Sequence, residues 1–381
     1  MLTPFPYQGN SNVFSSLIRI SGFAEDRMRL DKKKKKMSFF FVLCSTFTIF
    51  GFAEDTSVRK NPNKIWFFAH LFVSLQSNSG TLTAFLMAAN IFKGLGIALV
   101  TPFHADGSID FDALDRLLDY QLDNGTDFFC ILATTGETPC LTTDEKHLIK
   151  QFVVKKVAGR VPILMGCGGN NTAAVVEELK QTDWQGVDGV LSVCPYYNKP
   201  SQEGLYQHFR AIAQASPLPV VLYNVPGRTG INLRAETTVR LANDCQNIVA
   251  IKEASGSLEQ VDEIIKMKPE RFDVISGDDA LTFPMIASGA AGVISVIGNA
   301  LPKEFSRMIR LEFRGEYEPA RKIHHRFTEL YKLLFVDGNP AGVKALLHEM
   351  GFIENELRLP LVPTRVSTVQ KMSEIMKEMK L

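Results

Sequence analysis

Ile248-Val249-Ala250-Ile251-Lys252-Glu253-Ala254 is an apolar run with a lysine near its end. A strand buried on both faces reads as such a continuous run, whereas a half-exposed strand alternates. A buried strand here would carry the Lys252 amine into the interior of a closed barrel. Removing an ammonium from water disfavours its charged form, and a free amine placed there is able to attack a carbonyl. That is the requirement for a Schiff-base nucleophile. The ordinary alternative for an isolated strand-end lysine is a side chain that snorkels into solvent, so the reading depends on the surrounding sequence.

Outward from this stretch the same unit recurs: a short Val/Ile/Leu-rich run, a turn, then an amphipathic segment. The apolar runs are 96–102, 128–135, 162–167, 189–195, 219–226, 248–254, 273–279 and 292–297. Thr142-x-x-Glu145 and Ser257-x-x-Gln260 have the capping-box pattern of helix starts, and Pro302 suits a first helical turn. Phe111, Leu114, Leu118 and Leu122 recur at helical spacing and predict a stripe buried against a sheet. No G-x-G-x-x-G follows the first run, which disfavours an open dinucleotide-binding sheet. The expected fold is α/β, a (β/α)8 TIM barrel over residues 91–316 with a C-terminal helical appendage over 317–381.

Composition narrows the function. The chain has 381 residues and is 45% hydrophobic, which fits a globular protein with a substantial core. A net charge of +1 gives no field to gather nucleic acid or an acidic membrane. The six cysteines lack C-x-x-C spacing, so we expect free thiols in a reducing, cytoplasmic compartment and no metal site. Residues 1–90 read differently. They repeat Gly-Phe-Ala-Glu-Asp at 22–26 and 51–55, and Lys32–Lys36 followed by apolar residues to Ala53 resembles a secretory signal. Its distance from Met1 favours a stretch read through from a misplaced start, with the working protein beginning near Met87.

In a barrel of this kind, catalytic side chains collect at the carboxyl ends of the strands. The unusual residues of this chain fall there. Thr134-Thr135-Gly136-Glu137 end the second run, Tyr196-Tyr197-Asn198 the fourth, Tyr223-Asn224-Val225-Pro226-Gly227-Arg228 the fifth, Lys252 the sixth and Gly277-Asp278-Asp279 the seventh. Thr134 and Thr135 offer hydroxyls and close backbone amides for a small carboxylate, although a self-satisfied turn uses the same residues. Tyr223 is suited to relay a proton, and the commoner fate of such a residue is a buried phenol with a satisfied hydroxyl. Arg228 offers a fork that matches a carboxylate, against the ordinary reading of a surface ion pair. Asp278-Asp279 without histidine partners is expected to cap the next helix rather than hold a metal. His324-His325 is expected at the surface.

Taken in order, Thr134-Thr135-Gly136-Glu137, Tyr196-Tyr197-Asn198-Lys199-Pro200, Tyr223 to Gly230 and Ile251-Lys252-Glu253-Ala254 closely resemble the dihydrodipicolinate synthase family, from about Ile91 to Leu381. The resemblance implies that Lys252 forms a covalent imine with pyruvate, without a separate cofactor. The derived enamine would add to L-aspartate 4-semialdehyde, on the diaminopimelate route to lysine. It also implies that Tyr223, Thr134 and Tyr197 form a proton relay, with Tyr197 reaching into the neighbouring subunit. Thr135 would hold the pyruvate carboxylate and Arg228 that of the semialdehyde, while Gly277 and Ile294 shape the pocket. A homodimer would be needed for the site, within a homotetramer, with no nucleic acid or membrane as partner.

Two departures stand out. Ala133 replaces the family's usual glycine before the Thr-Thr pair, and Lys146 and Ala174 stand where lysine-sensitive members carry histidine and glutamate. A cation and a methyl group there predict weak feedback inhibition by lysine, although Tyr196 and Asn170 are retained. Competing readings are an N-acetylneuraminate lyase or 2-keto-3-deoxy sugar-acid aldolase of the same superfamily, and a catalytically silent barrel that binds a keto acid. Arg228 argues against the first, and retention of Lys252, Tyr223, Thr134 and Tyr197 together argues against the last.

Overall fold

The computed structural model describes residues 91–380. The repeat at 22–26 and 51–55, the signal-like segment 32–53, Cys44 and Met87 lie outside the described residues.

The apolar runs form β1 (Gly94–Ala98), β2 (Phe128–Ile131), β3 (Ile163–Gly166), β4 (Gly189–Val193), β5 (Val220–Asn224), β6 (Ile248–Glu253), β7 (Asp273–Ser276) and β8 (Gly292–Ser295). Each strand pairs in parallel with the next, and β8 returns to β1 through Gly96↔Ile294, which closes the barrel. Alternation along the strands divides the core in two. Phe128, Cys130, Leu164, Leu191, Val221, Tyr223, Ile275 and Ile294 fill the interior. Phe129, Ile131, Val190, Leu222, Ile251 and Val274 pack outward against helices. Both faces are therefore dry, and each fully buried aliphatic or aromatic side chain contributes about 2 kcal/mol. The observed strands stop from one to four residues before the apolar runs do. There the backbone turns away into loops, as at the 3-10 turn Thr134–Gly136 that follows β2.

The register of β6 positions the key lysine. Val220 pairs with Ile248 but Val221 pairs with Ala250, so β6 carries one extra residue, Val249. Beyond this irregularity Tyr223 lies beside Lys252 and Asn224 beside Glu253. The bulge brings the Tyr223 and Lys252 positions side by side at the barrel mouth, a common use of such irregularities.

Helices α1 (Phe111–Asp123), α2 (Thr143–Val157), α3 (Thr172–Gln181), α4 (Gln202–Ala215), α5 (Ala235–Asp244), α6 (Leu258–Met267), α7 (Thr282–Ala287) and α8 (Pro302–Phe313) follow the strands in turn, with a short helix Pro226–Thr229 between β5 and α5. In α1, Leu114 and Leu118 are buried, and Phe111 and Leu122 pack at the edge of the core. Thr142 and Glu145 make the full capping box of α2. At α6 only half of the expected box forms. Ser257 accepts from the Gln260 backbone N–H, while the Gln260 side chain donates to the Glu253 carboxylate at 3.0 Å. A buried carboxylate is the more demanding partner for that amide.

The appendage comprises α9 (Tyr317–Arg326), α10 (Thr328–Leu333), α11 (Ala341–Glu349) and α12 (Val366–Met379). Among the described residues no helix is long and apolar enough to cross a membrane, and no cluster of three metal-ligating side chains occurs. The five described cysteines are free, four of them buried, and burial pushes the Cys130 thiol up to about 11.

Candidate active site

A cavity of about 370 Å³ opens at the carboxyl ends of the strands. Lys252 lines it from β6, Tyr223 and Arg228 from β5 and the segment after it, Thr134 and Thr135 from the turn after β2, and Gly277 and Asp278 from the end of β7. Six of the expected residues and Asp278 thus converge from four separate β-α units.

Lys252 is 5% exposed. The described lysines that pair with a carboxylate are Lys150, Lys156, Lys322 and Lys344, and Lys252 is not among them. Its Nζ lies 4.4 Å from the centroid of the Tyr223 ring. Gly277 explains how the side chain fits: a Cβ at that position would stand 2.7 Å from the Ala254 Cβ and 3.1 Å from the Lys252 Cγ and Cε. The glycine leaves the channel along which the lysine stem lies. The next residue, Glu253, points outward and is buried, accepting from Asn224 Nδ2 at 3.0 Å and from the Ser255 N–H at 2.7 Å. Burial raises its pKa.

Thr135 is buried, and its Oγ1 accepts from Asn339 Nδ2 at 3.0 Å. Its own O–H therefore stays available as a donor. Thr134 and Thr135 sit in a turn bracketed by two non-glycine residues in the left-handed region, Leu132 (φ 51°) and Glu137 (φ 53°). Such conformations persist only where the surroundings impose them, and they gather at functional sites. Arg228 is exposed and belongs to no ion pair among the described residues, so its fork is open to the cavity that it lines.

Asp278 does cap, accepting from the Ala280 N–H at 2.9 Å. Asp279 does not. Buried at 2% exposure, it accepts from the backbone N–H groups of Val296 (3.0 Å) and Ile297 (2.7 Å), tying the loop after β7 to that after β8. Burial outweighs those bonds and lifts its carboxyl to about 6.

Two expected residues lie apart from the cavity. Ile294 is inside the barrel, and Val296, two residues on, lines the cavity instead. Tyr197 is 89% exposed with φ 73°, and its neighbour Tyr196 accepts from Asn170 Nδ2 at its carbonyl. His324 corrects the surface expectation. It lines the cavity, half-buried and stacked on Phe283 at 5.4 Å, and burial lowers its pKa; its neighbour His325 is exposed.

The appendage contributes more than the sequence reading assigned to it. His324, Thr328, Tyr331, Lys332 and Phe335 line the cavity together with Asn339. His324 comes from α9 and Thr328, Tyr331 and Lys332 from α10, and their recurrence every three to four residues is a signal present in the sequence but identical to that of an ordinary packing stripe. Equally unforeseen is the clamp behind the Thr134–Gly136 turn. Glu137 and Lys344, both fully buried, meet at 2.6 Å, and the Arg358 backbone N–H donates to the second Glu137 oxygen at 3.1 Å. Burial lowers the Lys344 ammonium to about 8. Arg358 also grips Glu145 with two bonds, of 2.5 and 2.8 Å, and holds that carboxyl down at about 2.

A buried, unpaired amine in a cavity that also offers hydroxyls, an open guanidinium and a tyrosine is equipped to form an imine with a small keto acid. Residues 91–379 match the model of the dihydrodipicolinate synthetase family. The chain is 65% identical over 289 residues to 4-hydroxy-tetrahydrodipicolinate synthase of Phocaeicola vulgatus, covering 76% of this chain and 97% of that one. Among solved structures it is similar to dihydrodipicolinate synthase from Thermotoga maritima, with TM-score 0.74, 44% identity and coverage of 76% and 98%. It is also similar to a monomeric dihydrodipicolinate synthase variant, with TM-score 0.75, 43% identity and coverage of 77% and 98%.

Proposed function

The chain belongs to the dihydrodipicolinate synthetase family and is a lyase, and from that premise we propose that it condenses pyruvate with L-aspartate 4-semialdehyde through an imine on Lys252. The observation that carries this reading is the Lys252 amine itself, buried without a carboxylate partner between the Tyr223 ring and the Gly277 gap.

The Lys252 amine attacks C2 of pyruvate and water leaves, giving the iminium. Loss of a proton from C3 yields the enamine, whose C3 attacks the aldehyde carbon of the semialdehyde. The semialdehyde's own amine then attacks C2 and closes the ring, and Lys252 departs. Thr135, with its donor free, holds the pyruvate carboxylate, and Arg228 takes that of the second substrate. Tyr223 and Thr134 pass protons between water, C3 and the nascent hydroxyl. No separate cofactor is required, since the electron sink is the imine.

Tyr197, exposed and held at φ 73°, completes the relay in a second copy of the chain, which makes the homodimer the catalytic unit within a homotetramer. The free cysteines agree with a cytoplasmic setting. Lys146 and Ala174 predict weak feedback inhibition by lysine; an inhibition constant in the submillimolar range or below would overturn that.

The test is a pair of assays on one preparation. Condensation dependent on aspartate semialdehyde, without cleavage of N-acetylneuraminate or a 2-keto-3-deoxy sugar acid, is the expected result. Cleavage of either sugar acid with no condensation would replace the proposal.

A further inference from the structure

We infer that the buried Glu137–Lys344 pair is a positioning device, through which the C-terminal appendage sets the turn carrying Thr134 and Thr135 and so tunes the enzyme's affinity for its keto-acid substrate. The inference rests on the assignment of Thr135 to the pyruvate carboxylate.

Glu137 ends that turn in the left-handed region, and its two carboxylate oxygens are held by two separate donors. Lys344 of α11 reaches it at 2.6 Å, and the same Nζ donates to the Glu356 carbonyl at 2.7 Å. The Arg358 N–H binds the other carboxylate oxygen. Phe103, in the loop after β1, is fully buried between the two cations, with Lys344 Nζ 4.2 Å and the Arg358 guanidinium 4.4 Å from its ring centroid. A second tie reaches the turn from the same segment, as Asn339 donates to Thr135 Oγ1. The substrate-facing side of the turn is thus pinned at Thr135 and its rear at Glu137, both from residues 339–358.

A desolvated ion pair seldom adds stability over an apolar replacement, whereas its geometry is specific. Neither Glu137 nor Lys344 lines the cavity. They act through Thr134 and Thr135, and the role is positional rather than catalytic.

The test compares the full-length wild type with Glu137→Gln/Lys344→Met, which removes both charges and avoids stranding one. Two readouts are taken: the pyruvate concentration for half-maximal borohydride trapping, and amide hydrogen exchange across the chain. The expected result is a folded variant in which that concentration rises at least ten-fold, the KM for the semialdehyde stays within two-fold, and exchange accelerates at residues 132–138 but not at 248–253. Wild-type trapping and exchange at 132–138 in the variant would overturn the inference, as would a uniform loss of protection across the barrel. A wild type that traps no pyruvate would instead sink the functional proposal, leaving the exchange pattern to decide the positioning role.

Discussion

Lys252 at the mouth of the barrel and Lys344 at its junction with the appendage are both withdrawn from water, at 5% and 0% exposure. Lys344 donates to a carboxylate at 2.6 Å and to a carbonyl at 2.7 Å, and its Nζ also lies 4.2 Å from the centroid of the Phe103 ring. Lys252 has the face of a tyrosine ring and a cavity. The third buried lysine, Lys150, runs out to Asp183 at 2.8 Å. Burial by itself therefore does not make a lysine a nucleophile. A buried amine whose positive charge is paired stays a structural cation, and one left unpaired beside space for a carbonyl is free to react.

The comparison breaks most visibly at Lys252. Lys252→Ala should lower kcat by about four orders of magnitude or more, as loss of a covalent nucleophile does, and leave thermal unfolding nearly unchanged. Lys344→Met should do the reverse. It strands the Glu137 carboxylate in a dry site at a cost of about 3–5 kcal/mol, read as a fall in the denaturation midpoint, while imine formation on Lys252 persists in the folded fraction. Gly277→Ala sharpens the contrast by moving the amine without removing it. The added methyl meets the Ala254 Cβ at 2.7 Å and the lysine stem at 3.1 Å, and a displacement of this order should cost about 10²-fold in kcat.

The smallest expected effect concerns the outer part of the clamp. Glu145 is held at about 2 by Arg358, below its unfolded value, so its contribution is fully present above about pH 4.5 and is lost as the pH falls toward 2. Glu145→Gln should flatten the acid limb of the stability profile across that window and change little at pH 7 beyond the lost bonds. The mirror case is Glu312, whose carboxyl burial raises to about 8. Its neutral form is favoured in the fold, and its cost grows as the pH rises from about 4.5 to 8. Glu312→Gln should therefore stabilise the protein more at pH 8 than at pH 5 in matched thermal melts.

The barrel was legible because parallel strands dry on both faces leave unbroken apolar runs, and eight of them followed by helices, without a dinucleotide-binding glycine turn, fit a closed barrel better than an open sheet. Lys252 was legible for the same reason, as a cation where none belongs. Yet Ala341-Gly342-Val343-Lys344-Ala345-Leu346-Leu347 presents the same pattern. What separates the two lysines is Glu137, 207 residues earlier in the chain, and no local pattern reports a partner at that distance. Asn339 escaped notice likewise, since its bond to Thr135 spans 204 residues. The β6 bulge was hidden because Val249 is as apolar as its neighbours. Tyr197 was named by resemblance alone: its exposure and its left-handed backbone are features of the folded chain that no local sequence pattern reports.

The central claim is that Lys252, and not another buried lysine, forms the imine. Incubation with pyruvate and borohydride, followed by peptide mass analysis, freezes that imine where it forms. One pyruvyl adduct per chain, on Lys252, is the predicted result. Folded protein with no adduct, or with its adduct on Lys344 or Lys150, would contradict the account.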